Sequence, residues 1–269
     1  MRGGAVVHEP RTARGRMFLD ELRHRIDGSW VRPSPRSSRF AELRDDIVCQ
    51  SSPSKLALLE AAAATLRSNE VYLEIGSFHG ASTVAAARAR DDVHVVAIDD
   101  FSFGTSLGIL RENLERYGVA DRVTIVEGDC FDALRGPLPD VGVYLFDGPH
   151  TYMDQYLALE LGITHLTNEA LVIVDDTRWA HVARANADFI RSHKRLTLLC
   201  DLPSKGLRDE YWWNGIQVFE FITSGPQGGR DLAFQLNRAR DFVFRPMTVM
   251  TLRHRLRASL FGLARRARR

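Results

Sequence analysis

Two apolar runs in this chain end on aspartate. Y-L-F-D-G-P-H-T-Y, residues 144–152, carries Asp147 and His150, and L-V-I-V-D-D-T, residues 171–177, carries Asp175 and Asp176. Each run reads as a buried strand, so three carboxylates emerge at strand tips. Like charges that close raise one another's pKa, and the arrangement calls for a cation among them. Hard oxygen donors with no accompanying cysteine or paired histidine suit Mg2+, with Ca2+ or Mn2+ as substitutes. The alternative is that Asp175 and Asp176 only cap a helix at 179–193. His150, of a type that titrates near neutrality, could take a proton from a substrate, or could simply hydrogen-bond Asp147. A third segment, V-Y-L-E-I-G-S-F-H-G at 71–80, runs from a strand into a tight turn and a helix. Its glycines, Gly76 and Gly80, permit positive φ and close approach of a ligand, toward which the helix would point its free N–H groups. The spacing matches neither the dinucleotide fingerprint nor the lysine-bearing phosphate loop, since the nearest lysine is Lys55.

Positioning these groups requires a sheet. Strands are expected near 71–75, 93–98, 122–126, 141–146, 170–175, 195–200 and 215–222, with helices near 81–89, 106–117, 151–166 and 179–193. Regular alternation with strands apolar on both sides implies an α/β fold, a doubly wound, mostly parallel seven-stranded sheet. Residues 201–214 show no helical pattern, which fits a closing antiparallel strand. Ser52-Pro53 starts a helix through Leu56, Leu59 and Leu66. Before it, Phe18, Leu22 and Ile26 suggest a short amphipathic helix, and W-V-R-P-S-P-R-S-S a loop. The expected division is an Arg-rich extension at 1–50, a catalytic domain at 51–223 and a basic extension at 224–269. Ligands of such sheets bind at the carboxyl ends of the strands.

The turn at 71–80 resembles the first motif of class I S-adenosylmethionine-dependent methyltransferases. The resemblance implies that Glu74, Gly76, Ser77, Gly80 and Ser82 line the cofactor's methionine portion. Asp99, in V-A-I-D-D-F, would then accept from the ribose hydroxyls, with Phe101 packing on adenine. Asp129, in V-E-G-D-C-F, would accept from the adenine amino group, and Cys130 would offer a backbone N–H. Any one such acid equally suits a cap on the next helix. From about Ser52 to Phe221 the chain resembles metal-dependent O-methyltransferases of the catechol kind and related bacterial sugar and natural-product enzymes. Their motif L-E-[IL]-G-x-x-x-G-x-S occurs here as L-E-I-G-S-F-H-G-A-S. By that resemblance Asp147, Asp175 and Asp176 hold Mg2+. Asp176 replaces the asparagine of the catechol enzymes, and His150 stands where their lysine base does. The implied catalytic pair is His150 with Asp147.

The remaining features bound the function. The chain has 269 residues, 45% of them hydrophobic and 26% charged, and a net charge of +2. Neither a long apolar span nor a signal-like start is present, and Cys49, Cys130 and Cys200 are too scattered for a disulfide framework, so a cytoplasmic protein is expected. Tyr211, Trp212 and Trp213 are placed near a small-molecule or saccharide acceptor, or else in a core or dimer contact. Eleven arginines after residue 229 raise a nucleic-acid methyltransferase as an alternative. D-G-P-H in place of [DN]-P-P-[YF] speaks against it, so no nucleic acid is expected. A non-methylating, oxidative or binding relative is the other alternative. Val249, Leu252, Leu256, Leu260 and Leu263 form an apolar stripe at helical period among arginines. It is expected to pack on its own domain or a second subunit of a homo-oligomer, in preference to a membrane surface.

Overall fold

The computed structural model describes residues 4–226 and 228–244, and the expected C-terminal helix with its stripe lies outside them. The N-terminal portion forms β1 (Val6–Val7), α1 (Ala13–Arg25), a hairpin of β2 (Ile26–Ser29) and β3 (Arg32–Pro35), α2 (Arg39–Asp46) and α3 (Pro53–Ala63). Alternation then begins with β4 (Val71–Ile75), α4 (Ala81–Ala87), β5 (His94–Asp99), α5 (Leu107–Arg116), β6 (Val123–Glu127) and α6 (Cys130–Arg135). It continues through β7 (Val141–Phe146), α7 (Tyr152–Gly162), β8 (Leu166–Val174), α8 (Ala180–Ser192), β9 (Leu196–Leu202), β10 (Ile216–Phe221) and α9 (Leu232–Phe244). The main sheet runs β1-β9-β10-β8-β7-β4-β5-β6. Its central strands β8, β7, β4, β5 and β6 are parallel, and β10 inserts antiparallel between β8 and β9. Strand order reverses outward from β4, so the carboxyl ends of β4, β5 and β7 meet at the switch point where this class of sheet binds ligands.

All seven expected strands are present, and the closing strand is antiparallel as expected. An eighth corrects the count: Val6 and Val7 pair antiparallel with Asp201 and Cys200, covering the otherwise open ladder of β9. The stretch read as a loop after Trp30 is instead one arm of the β2–β3 hairpin. Prolines obscured it, because Pro33 and Pro35 are tolerated only in an edge pairing of this kind.

The segment before residue 51 is woven into the same core. Phe18, Leu22, Phe40 and Leu43 are buried with Leu56, Leu59 and Val84 on one face of the sheet. Its arginines are partnered inside: Arg14 bonds Glu70 at 2.5 Å and the Gly142 carbonyl at 2.6 Å. Glu220 of β10 accepts from the Thr12 backbone at 2.8 Å and the Thr12 hydroxyl at 2.7 Å. Trp212 is fully buried and donates to the Trp30 carbonyl at 2.6 Å, so it is a core residue.

Candidate active site

Local backbone chemistry builds the turn after β4. Gly76 has φ +88°, and a Cβ there would stand 2.1 Å from the Asp147 carbonyl oxygen. Glycine is therefore required twice over, by conformation and by the closeness of the end of β7. Gly80 has φ +93°, and its Cβ would meet Leu110 at 2.6 Å. The Glu74 side chain does not face the open end of the sheet. It is fully buried and accepts from the Ser82 and Thr83 hydroxyls, the latter at 2.8 Å, so it anchors the first turn of α4. Burial pushes its carboxyl up to about 7 against those two hydroxyl donors. Ser77 is buried within the turn.

Asp99 ends β5 beside this turn and accepts from the Phe78 N–H at 2.8 Å and the Phe101 N–H at 2.7 Å. Burial raises its pKa in spite of these donors. Phe101, at φ +52°, packs partly buried on the core. One strand further, Asp129 caps α6 by accepting from the N–H groups of Phe131 at 2.8 Å and Asp132 at 3.1 Å. Cys130 beside it is buried, and burial pushes its thiol up to about 12, which keeps it protonated.

Across the switch point the ends of β7 and β8 supply the acids. Asp147 donates its N–H to the Ile75 carbonyl at 3.0 Å, and Asp175 donates its own to Phe146 at 3.2 Å, which fixes both at the sheet rim. Asp176 adopts φ +55°, a left-handed conformation that Asp and Asn tolerate better than most residues. That backbone turns its carboxylate away from Asp175 and toward His150. His150 Nε2 lies 3.2 Å from Asp176 Oδ2 and 3.5 Å from Asp147 Oδ1. One donor atom each from Asp147, His150 and Asp176 falls within 4.8 Å of the others. Burial lowers the His150 pKa, but the Asp147 hydrogen bond and the charges of Asp176 and Asp147 outweigh it and hold the imidazole above its ordinary value. Burial raises Asp147, yet Lys55 and His150 more than offset this and leave it below the usual carboxylate range.

Residues 73–177 match the family model described as a methyltransferase domain. The match spans 105 of the 269 residues, so the likeness to that domain rests on this stretch. An O-methyltransferase from Aspergillus hancockii, hkm8, is 26% identical over 148 residues, covering 53% of this chain. The chain thus spans only 58% of the length of that relative. Among solved structures, an O-methyltransferase from Bacillus cereus in complex with SAH superposes with a TM-score of 0.54 at 17% identity, over 70% of this chain and 92% of the other. TomG, an O-methyltransferase from Streptomyces achromogenes involved in tomaymycin synthesis and solved with SAM, gives 0.54 at 17% identity, over 79% and 100%. At these identities the structural likeness establishes the fold, which is the class I methyltransferase fold that the motif at 71–80 resembles.

Within the matched stretch, Gly76, Ser77, Gly80, Asp99 and Phe101 surround one turn at the ends of β4 and β5. Asp129 and Cys130 follow at the end of β6, and Asp147, His150 and Asp176 gather at the ends of β7 and β8. Asp175 stands apart from that gathering: it is 1% exposed and its Oδ2 is bonded by Lys55 Nζ. Lys55 is the residue that sequence reasoning missed. It is 2% exposed, and its ammonium also stands 3.4 Å from Asp147 Oδ2. One signal was available: only three lysines occur among 36 basic residues, and this one sits in the first turn of an otherwise apolar helix.

Proposed function

We propose that this protein transfers a methyl group from S-adenosylmethionine to a hydroxyl oxygen of a small-molecule or saccharide acceptor, with a divalent cation of the Mg2+ type assisting. The observation that carries this reading is the linear arrangement along one sheet edge. A glycine turn and Asp99 lie at the ends of β4 and β5, beside an Asp147–His150–Asp176 cluster whose donor atoms fall within 4.8 Å of each other.

The donor set fits a hard cation: two carboxylate oxygens lie within 4.8 Å of each other, so Asp147 and Asp176 would hold the ion. When bound, the ion supplies Lewis acidity that lowers the pKa of the acceptor hydroxyl and aims its oxygen. His150 would accept the hydroxyl proton, and Asp176 and Asp147, which face its Nε2–H, favour the imidazolium that results. Methyl transfer from a sulfonium is an in-line displacement, so the rigid strand ends contribute by holding the two reactants in line. Asp99 would receive the ribose hydroxyls, with Gly76 and Gly80 letting the methionine portion lie against the backbone.

A cleft of about 600 Å3 is lined by Arg32, Ser51, Ser54, Arg208, Tyr211 and Trp213 among others, but not by Asp147, His150 or Asp176. Thr177 and Arg178, which follow Asp176, donate their N–H groups to the Gly215 and Asn214 carbonyls at 3.2 and 2.8 Å, next in the chain to Trp213 of that lining. Tyr211 and Trp213 supply flat faces of the kind sugars and aromatic natural products stack on. The three free cysteines support a reducing, cytoplasmic setting, and among the described residues no helix is long and apolar enough to cross a membrane.

The test is release of S-adenosylhomocysteine over a panel of saccharide and phenolic hydroxyls, with and without chelator. The reading predicts turnover that EDTA suppresses and Mg2+ restores. Turnover unaffected by exhaustive chelation would remove the cation, and labelled methyl found on nitrogen or carbon would remove the hydroxyl.

A further inference from the structure

The ammonium of Lys55 sits in the acidic site itself. Lys55 is fixed there by its helix: Ser52 caps α3 by accepting from the Lys55 N–H at 3.2 Å, and the Ser52 hydroxyl donates to the Tyr211 carbonyl at 2.6 Å. Only 2% of its surface is exposed, so the ammonium is held among the acids rather than in water. Its Nζ bonds Asp175 Oδ2 and stands 3.4 Å from Asp147 Oδ2. Asp175 keeps its second oxygen, Oδ1, buried without a hydrogen-bond partner. Lysine is suited to this place because a compact point charge fits between two carboxylates where the broad fork of arginine would not.

We infer that Lys55 is a resident competitor of the divalent ion, neutralising Asp175 and Asp147 when the ion is absent and weakening its binding when it arrives. This rests on the cation reading proposed above. The reasoning is electrostatic. Three carboxylates so close would repel one another unless neutralised, and Lys55 supplies one positive charge at the shortest range. The same charge repels an incoming dication held by Asp147, in surroundings where burial weakens solvent screening. The acidic site thus keeps its geometry without the ion, at the expense of affinity for it.

The experiment is titration of the full chain with Mn2+, followed by the electron paramagnetic resonance signal of the free ion and by calorimetry, with no cofactor or acceptor present. Lys55→Met removes the charge at similar volume. Lys55→Gln removes it while retaining a donor for Asp175, which guards against a variant that fails to fold. Both are expected to bind Mn2+ about tenfold or more tightly than wild type, or to bind where wild type does not, and Lys55→Arg is expected to show no such gain. Equal or weaker binding by the neutral variants, with wild type binding Mn2+, overturns the competition and leaves the cation reading standing. Binding by none of the proteins overturns the cation reading and the competition with it.

Discussion

His150 lies between two carboxylates, and its chemistry follows from that placement. The form that accepts a proton is the neutral imidazole, while Asp147 and Asp176 favour the charged form and hold its pKa above the ordinary value near ~6.5. Activity should therefore rise with pH and level off only above that value. His150→Gln should lose this limb and reduce kcat by roughly 10²- to 10⁴-fold. A pH–rate profile that is flat from pH 6 to pH 8.5 in wild type, on the order of the range a histidine spans, would return His150 to a structural role. Glu74 makes the opposite kind of statement, about stability. Its folded-state pKa, about 7, lies above the carboxyl's ordinary value of 4.5, so the folded protein binds the extra proton. Stability is then lost as pH rises through that window, by about 3 kcal/mol in all. Urea unfolding at pH 5 and pH 8 should show the decline in wild type and its removal in Glu74→Gln; parallel behaviour of the two proteins would show that Glu74 does not cause it.

At this scale the sequence was informative where chemistry is local. Asp147, His150 and Asp176 are legible because an acid at the end of an apolar strand has a known address on this kind of sheet. Asp129 is equally legible as a helix cap, and the cap is what the structure displays. Lys55 was not legible, since its partners Asp147 and Asp175 lie 92 and 120 residues away in the chain. For the same reason Asp175 read as a third ligand of equal standing, whereas its Oδ2 is taken by a lysine from another helix.

Among the elements, the turn after β4 has the tightest steric demands. Gly76→Ala would place a methyl 2.1 Å from the Asp147 carbonyl at a φ of +88°, so the ends of β4 and β7 must separate. The expected outcome is a loss of more than about 1 kcal/mol of stability, together with weakened S-adenosylmethionine binding in calorimetry. Unchanged affinity in a folded Gly76→Ala protein would show that the cofactor does not use this turn. The strands of the sheet were legible because continuous apolar runs flanked by turn residues have few other readings. Short elements escaped: α6 has six residues and a single buried apolar stripe of Cys130 and Leu134, and the β2–β3 hairpin hides two prolines in its second strand.

At the scale of the whole molecule, residues on both sides of position 50 share one core cluster. The segment reads as an Arg-rich extension, yet Arg14 is buried against Glu70, and Arg25 reaches the buried Glu60 at 2.7 Å. Hydropathy alone does not reveal a buried, paired arginine, which is why this part of the core was illegible. Deleting residues 1–50 would expose the face of α3 that carries Leu56 and Leu59, would remove both cations of Glu60, and would leave Glu70 with Arg67 but without Arg14. The apolar burial lost with Phe18, Leu22, Phe40 and Leu43, roughly 1.5–3 kcal/mol for each fully buried side chain, means the truncated protein should melt far below the full chain or fail to fold. An unchanged circular-dichroism melting curve would show the leader to be an appendage after all.

The most direct test of the account is a crystal structure of the full chain with S-adenosylhomocysteine and Mn2+. The predicted result has the ribose hydroxyls on Asp99, the homocysteine over the Gly76–Gly80 turn and its sulfur facing His150. An anomalous Mn2+ peak is predicted between Asp147 and Asp176. A cofactor bound away from the ends of β4 and β5, or one whose sulfur points away from Asp147, His150 and Asp176, would contradict it.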